Sequence, residues 1–169
     1  NYAADLGLYV VQIALYDQND IALAFVYMPM FNKTYYAIKG EGAYINDKLY
    51  KTTDKNQPSN FMISMCGLSH KKEDKSYFKK IIDLSIAHKY KLRILGTMGL
   101  ELALSSEGIF DLFYSNVTNL WDLCPGILLA REAGAILINE KGEPYQLGDE
   151  NLFLCKDEKV KSFVLSEVI

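Results

Sequence analysis

The chain has 169 residues, 50% of them hydrophobic and 23% charged, enough to bury one good core or two small layers. Its formal charge of -3 and interspersed Lys and Glu leave no basic stripe, so composition argues against nucleic-acid binding. The longest apolar run, near Ile21 to Phe31, is too short to span a bilayer and contains Pro29, and nothing resembles a signal peptide.

Leu8 to Tyr16, Ile21 to Tyr27 and Thr34 to Ile38 are rich in Val, Ile, Tyr and Phe and are separated by short polar turns. They read as an antiparallel meander. Leu8 to Tyr16 is hydrophobic on both faces and calls for neighbours on either side. Lys39-Gly40-Glu41-Gly42 makes a further turn before Ala43 to Asn46, and Leu49 to Thr53 adds a strand before the polar stretch Asp54 to Asn60. That stretch divides the chain into residues 1–57, an antiparallel-sheet part, and 58–169, an α/β part.

Beyond it the rhythm alternates: strand Phe61 to Cys66, helix from Glu73 to His88, strand Lys91 to Leu95, helix Met98 to Ser106, and strand Phe110 to Tyr114. A helix following Asp122 comes next, then strand Ala135 to Asn139, a turn at Gly142, strand Leu152 to Lys156 and a helix from Glu158 to Val168. Cys66, Cys124 and Cys155 are odd in number, far apart and set in apolar surroundings, which points to reduced core thiols in a cytoplasmic protein.

Two places carry chemistry. In Trp121-Asp122-Leu123-Cys124-Pro125-Gly126, Asp122 reads as the N-cap of a helix with Pro125 in its first turn and Gly134 as its stop. A carboxylate at that position either caps amides or offers an oxygen to a cation. In Leu95-Gly96-Thr97-Met98-Gly99 a strand end passes into a helix start, which suits an anion, or else Gly96 is a tight turn and Thr97 a cap. His70 and His88 are isolated and read as surface residues, and neither a nucleophile elbow nor a phosphate-binding Gly-rich loop is present. The tyrosines cluster in the meander, where sheet packing explains them.

Trp121 to Gly134 resembles the signature of the inositol monophosphatase family: Trp-Asp, three residues, Gly, five residues, then Glu-Ala-Gly. Trp121, Asp122, Gly126, Glu132, Ala133 and Gly134 match it, and Val26-Tyr27-Met28-Pro29, Lys39-Gly40-Glu41-Gly42-Ala43 with Asn46, Arg93, Gly96 and Thr97 follow the family's order. The resemblance implies an α+β fold, a layered α/β/α/β sandwich. It implies a Mg²⁺-dependent, lithium-sensitive phosphatase, cytoplasmic and homodimeric, acting on a small phosphorylated substrate without membrane or nucleic acid. Under it Asp122 becomes a metal ligand, and Gly96 and Thr97 face substrate, either its phosphate or a sugar hydroxyl.

Two departures accompany the match. The family's other metal acids lie in a Glu-Glu pair and an Asp-Pro-x-Asp-Gly-Thr motif, neither of which occurs here, and Asn1-Tyr2 matches the residues directly after the second. The chain therefore reads as the C-terminal part of a longer protein, inactive by itself. Ser115 occupies the place of a Glu that contacts substrate hydroxyls in many inositol-phosphate-specific members. The competing expectation is a non-catalytic member serving as a binding or oligomerisation module.

Overall fold

The computed structural model describes residues 1–17, 20–54, 61–67 and 76–169. Strands β1 (Val11–Asp17), β2 (Asp20–Met28), β3 (Lys33–Ile38), β4 (Gly42–Ile45) and β5 (Lys48–Tyr50) form an antiparallel meander in chain order. Asn46 and Asp47 close the last hairpin with φ of 45° and 65°, the left-handed pair that a two-residue turn between twisted strands needs. β1 begins at Val11, later than the composition of Leu8 to Tyr16 suggests, because the Leu8 carbonyl accepts from Asn1 and Thr97 side chains. β5 ends at Tyr50, and Thr52 opens a short 3-10 turn whose hydroxyl donates to Ser106 O at 2.8 Å.

The register sorts the meander into two faces. Ala24, Val26, Tyr35, Ala37 and Ala43 point inward and are fully buried. On the other face Ile13 opposes Phe25, Phe25 opposes Tyr36, Tyr36 opposes Tyr44, and Tyr44 opposes Leu49, an apolar row across all five strands. Tyr36 and Tyr44 stack at 4.9 Å, while Ile13 and Leu49 at the two ends are each 58% exposed, so this face is open. The two-sided hydrophobicity of β1 thus meets a neighbour on one side only among the described residues.

The second sheet contains β6 (Met62–Cys66), β7 (Lys91–Arg93), β8 (Leu112–Ser115), β9 (Ile136–Ile138) and β10 (Leu152–Cys155) in the order β7-β6-β8-β10-β9. β6 runs parallel to β7 and β8, whereas β10 is antiparallel to both of its neighbours. The helices are α1 (Ser76–His88), α2 (Met98–Ser106), α3 (Leu120–Ala133) and α4 (Glu158–Phe163), the last continuing into a π turn at Val164–Val168. Glu73, the expected start of the first helix, lies outside the described residues, as does a division between residues 57 and 58.

Period-two alternation in the second sheet decides the layering. Cys66, Phe113, Leu152 and Leu154 join α2, α3 and the inner face of the meander in one core. Ile63, Met65, Leu112, Tyr114, Phe153 and Cys155 pack instead with Phe78 and Ile81 of α1 and with Val160, Val164 and Val168. The order of layers is meander, α2 and α3, second sheet, α1 and α4, which is the expected α/β/α/β sandwich. Each fully buried Leu or Ile on α3, such as Leu123, Ile127 and Leu129, contributes about 1.5–3 kcal/mol of transfer free energy. Among the described residues no helix is long and apolar enough to cross a membrane.

Candidate active site at the carboxyl ends of the parallel strands

Three parallel strands end on one side of the second sheet, and open α/β sheets form their binding crevice at such ends. There β7 passes into Leu95-Gly96-Thr97, β6 into Gly67, and β8 into Asn116 and Val117. These ends are close: a Cβ on Gly67 would stand 2.1 Å from Val117 Cγ2. The first residues of the chain cross the same edge. Asn1 Nδ2 donates to Leu95 O at 2.7 Å, to Thr97 Oγ1 at 2.7 Å and to Leu8 O at 3.0 Å.

Asp122 lies in this region but is not the N-cap expected from sequence. Asn119 holds that position, and its carbonyl accepts from Asp122 N at 3.1 Å and Leu123 N at 3.2 Å. Both residues are capping types, and the helix takes the earlier one. Asp122 becomes the third residue of α3, half-buried, with Oδ2 accepting from Asn119 Nδ2 at 3.4 Å. Its charge sits in the first helical turn, where the exposed amide ends of the helix favour an anion.

The earlier start moves Pro125 into the second turn. Proline has no N–H to return to Trp121 O, its partner in a regular helix. Gln12 Nε2, from β1, donates to that carbonyl instead at 3.0 Å. The substitute bond ties the opening of α3 to the meander and fixes the turn that bears Asp122. Gly134 ends α3 as expected, with φ +87° and its N–H on Arg131 O at 3.1 Å.

Thr97 occupies the N-cap position of α2 without capping it. Its hydroxyl donates to Leu8 O at 2.6 Å, and its amide donates to Glu101 Oε2 at 3.2 Å. Gly96 is exposed, with φ +71° and open space where a Cβ would point, so backbone conformation rather than crowding calls for glycine. Glu101 is fully buried; its Oε1 accepts from Ser64 Oγ at 2.8 Å and Leu95 N at 3.0 Å. Burial, then the facing Glu101 carboxylate through charge and a hydrogen bond, then more distantly Asp122, hold the Cys66 thiol well above the usual thiol range. Ser115 is buried and its Oγ accepts from Val117 N at 3.1 Å, while Asn116 Oδ1 and Gln12 Oε1 are buried without a partner.

The other signature residues are architectural. Glu132 accepts from Gly40 N at 2.8 Å and Gly42 N at 2.9 Å, pinning the β3–β4 hairpin to the end of α3. Gly126 lets α3 approach α2, since a Cβ there would stand 2.3 Å from Leu102 Cβ. Trp121 is 73% exposed beside Asp122. His88 is exposed and stacked on Tyr90, and His70 lies outside the described residues. Among the described residues no group of three or more His, Cys, Asp or Glu converges on a point that would hold a metal.

Sequence reading passed over Glu101 and Gln12. Each is a polar residue inside an apolar element, Glu101 between Leu100 and Leu102 and Gln12 between Val11 and Ile13. That contrast was the available signal, because a buried polar group needs a partner.

Comparison with known proteins gives one consistent family. The sequence model of the inositol monophosphatase family matches residues 1–168. The fructose-1,6-bisphosphatase/inositol-1-monophosphatase of Aquifex aeolicus is 28% identical over 165 residues, covering 98% of this chain and 61% of that protein. The Nus factor SuhB of Xylella fastidiosa is 27% identical over 143 residues, covering 84% of this chain and 52% of that protein. The structure of inositol monophosphatase from Anabaena superposes with a TM-score of 0.83 at 19% identity, covering 99% of this chain and 69% of its own, a likeness of fold. The chain thus spans between half and two thirds of the length of the two sequence relatives.

Proposed function

Because the chain belongs to the inositol monophosphatase family, we propose that it forms part of a Mg²⁺-dependent enzyme that hydrolyses a small phosphate monoester, with Asp122 supplying one metal ligand. The substrate class is an inositol phosphate or a related sugar or nucleotide phosphate. The observation that carries this reading is the place of Asp122, half-buried in the first turn of α3, the helix that follows the carboxyl end of β8.

The donor chemistry of the chain fits part of such a site. Asp122 offers a hard, half-buried carboxylate of the kind Mg²⁺ takes. Glu101, the other acid beneath the crevice, has both oxygens engaged by protein donors. Bound beside Asp122, Mg²⁺ would neutralise phosphoryl oxygens and acidify a water. The chain's own contribution is positional: Gln12 and Asn119 hold the turn that bears Asp122, and the Gly96–Thr97 turn faces the substrate's phosphate or a sugar hydroxyl. One carboxylate does not organise a divalent cation for phosphoryl transfer, so the 169-residue chain by itself is expected to release no phosphate. A cytoplasmic homodimer belongs to the same proposal.

A second reading, a non-catalytic module for binding or oligomerisation, draws on the similarity to a protein named Nus factor SuhB. Phosphate release from inositol 1-phosphate and fructose 1,6-bisphosphate by the intact gene product separates the two. The enzyme reading expects Mg²⁺-dependent turnover that Asp122→Asn lowers by about 10²-fold or more. Undiminished turnover in that variant rejects the ligand assignment, and absence of turnover in both forms favours the module.

A further inference from the structure

We propose that Glu101 is the positioning residue of this site: its buried carboxylate sets the Leu95–Thr97 turn and locks that turn to strand β6, an inference that rests on the substrate-facing role given to Gly96 and Thr97. Glu101 stands in the first turn of α2, between Leu100 and Leu102, and has no exposed surface. A carboxylate is costly to remove from water unless its oxygens are matched by donors. Here the match comes from outside the helix. Leu95 N, Thr97 N and Ser64 Oγ lie 2.8 to 3.2 Å away.

A simple helix cap would explain the Thr97 amide alone. It would not explain the second oxygen, which reaches Leu95 on the far side of Gly96 and Ser64 in the middle of β6. By grasping the amides on both flanks of Gly96, the carboxylate fixes the left-handed residue between them and leaves it as the exposed point of the turn. A leucine would satisfy the packing of α2 at this position but would hold neither amide.

The test uses the variants Glu101→Gln and Glu101→Asp with two readouts: hydrogen exchange at Leu95, Thr97 and Ala103 of the ¹⁵N-labelled chain, and shifts at Gly96 and Thr97 of the labelled intact gene product on adding inositol 1-phosphate with Mg²⁺. Gln keeps the shape but turns one acceptor into a donor; Asp keeps the charge but is too short to reach both amides. Each variant is expected to lose about tenfold or more of the protection at Leu95 or Thr97 while Ala103 in the same helix stays protected. The ligand-induced shifts are expected to need about tenfold more ligand in both variants. Full protection of both amides in either folded variant overturns the inference. So does lost protection with an unchanged ligand response, which would leave the site reading standing. No ligand response in the unaltered intact gene product rejects the site reading, and the positioning role falls with it.

Discussion

Replacing Gly126 by alanine tests the packing that places α3, and its sign is opposite to what the helix alone would give. Alanine is favoured over glycine in a helix interior by about 1 kcal/mol. In this chain the added Cβ would stand 2.3 Å from Leu102 Cβ, 2.7 Å from its Cδ1 and 2.9 Å from its Cγ. Carbon atoms settle about 3.5–4.0 Å apart, and both Cβ positions are set by backbone, so no rotamer relieves the clash. The two helices must part by about 1 Å, at an overpacking cost of about 1–3 kcal/mol and with loosened contacts at Leu102 and Ile127, both fully buried. Net destabilisation of about 1–2 kcal/mol lowers the melting temperature by about 2–8 °C for a chain of this size. Circular dichroism melts of the unaltered chain and Gly126→Ala measure it directly. A variant that melts at or above the original would refute the reasoning. Leu102→Ala, which keeps its own Cβ, is not expected to rescue it.

Glu132→Ala should cost about 2–3 kcal/mol, because two backbone amides lose a charged acceptor; trypsin should then cut after Lys39 faster than in the unaltered chain, and unchanged cleavage would dissociate Glu132 from the hairpin. The thiols give a pH prediction. Burial raises Cys66 and Cys124 and pushes Cys155 up to about 12. Native chain at pH 8 should therefore resist iodoacetamide at all three positions and react at each once denatured. Above about pH 8.5 the unfolded thiols ionise while the folded ones keep their protons, so folding stability should decline with rising pH. A denaturant midpoint that rises between pH 8 and pH 10 would contradict that sign.

The meander and the alternating half were legible because apolar periodicity and turn residues agree: Asn46 at the hairpin and Gly134 at the helix stop fall where their backbone preferences put them. The start of α3 was not. Asn119 and Asp122 are both good caps, and Pro125 favours a start close before it. What decides the matter is Gln12, 109 residues away, which takes the carbonyl that Pro125 leaves without a donor. The carboxylate of Glu101 escaped for the same reason. One of its donors comes from β6, 37 residues earlier, and no local pattern announces that contact. The Asp122 assignment itself came from the spacing of a family signature, and local structure alone would have left it a helix-start acid.

The bonds that bind the meander to α3 and to the crevice join distant parts of the chain: 92 residues separate Gly40 from Glu132 and 94 separate Asn1 from Leu95. Hairpins such as β3–β4 close within about 1–10 μs, yet the inner face they create is not fully covered until α3 has joined α2. During synthesis at about 5–20 residues per second, Val26, Tyr35 and Ala37 wait about 4–17 s between the completion of β5 and that of α3. Through that interval the half-made sheet offers the ribosome's surroundings an unsealed apolar surface, and the helix that carries Asp122 is also the piece that ends the exposure.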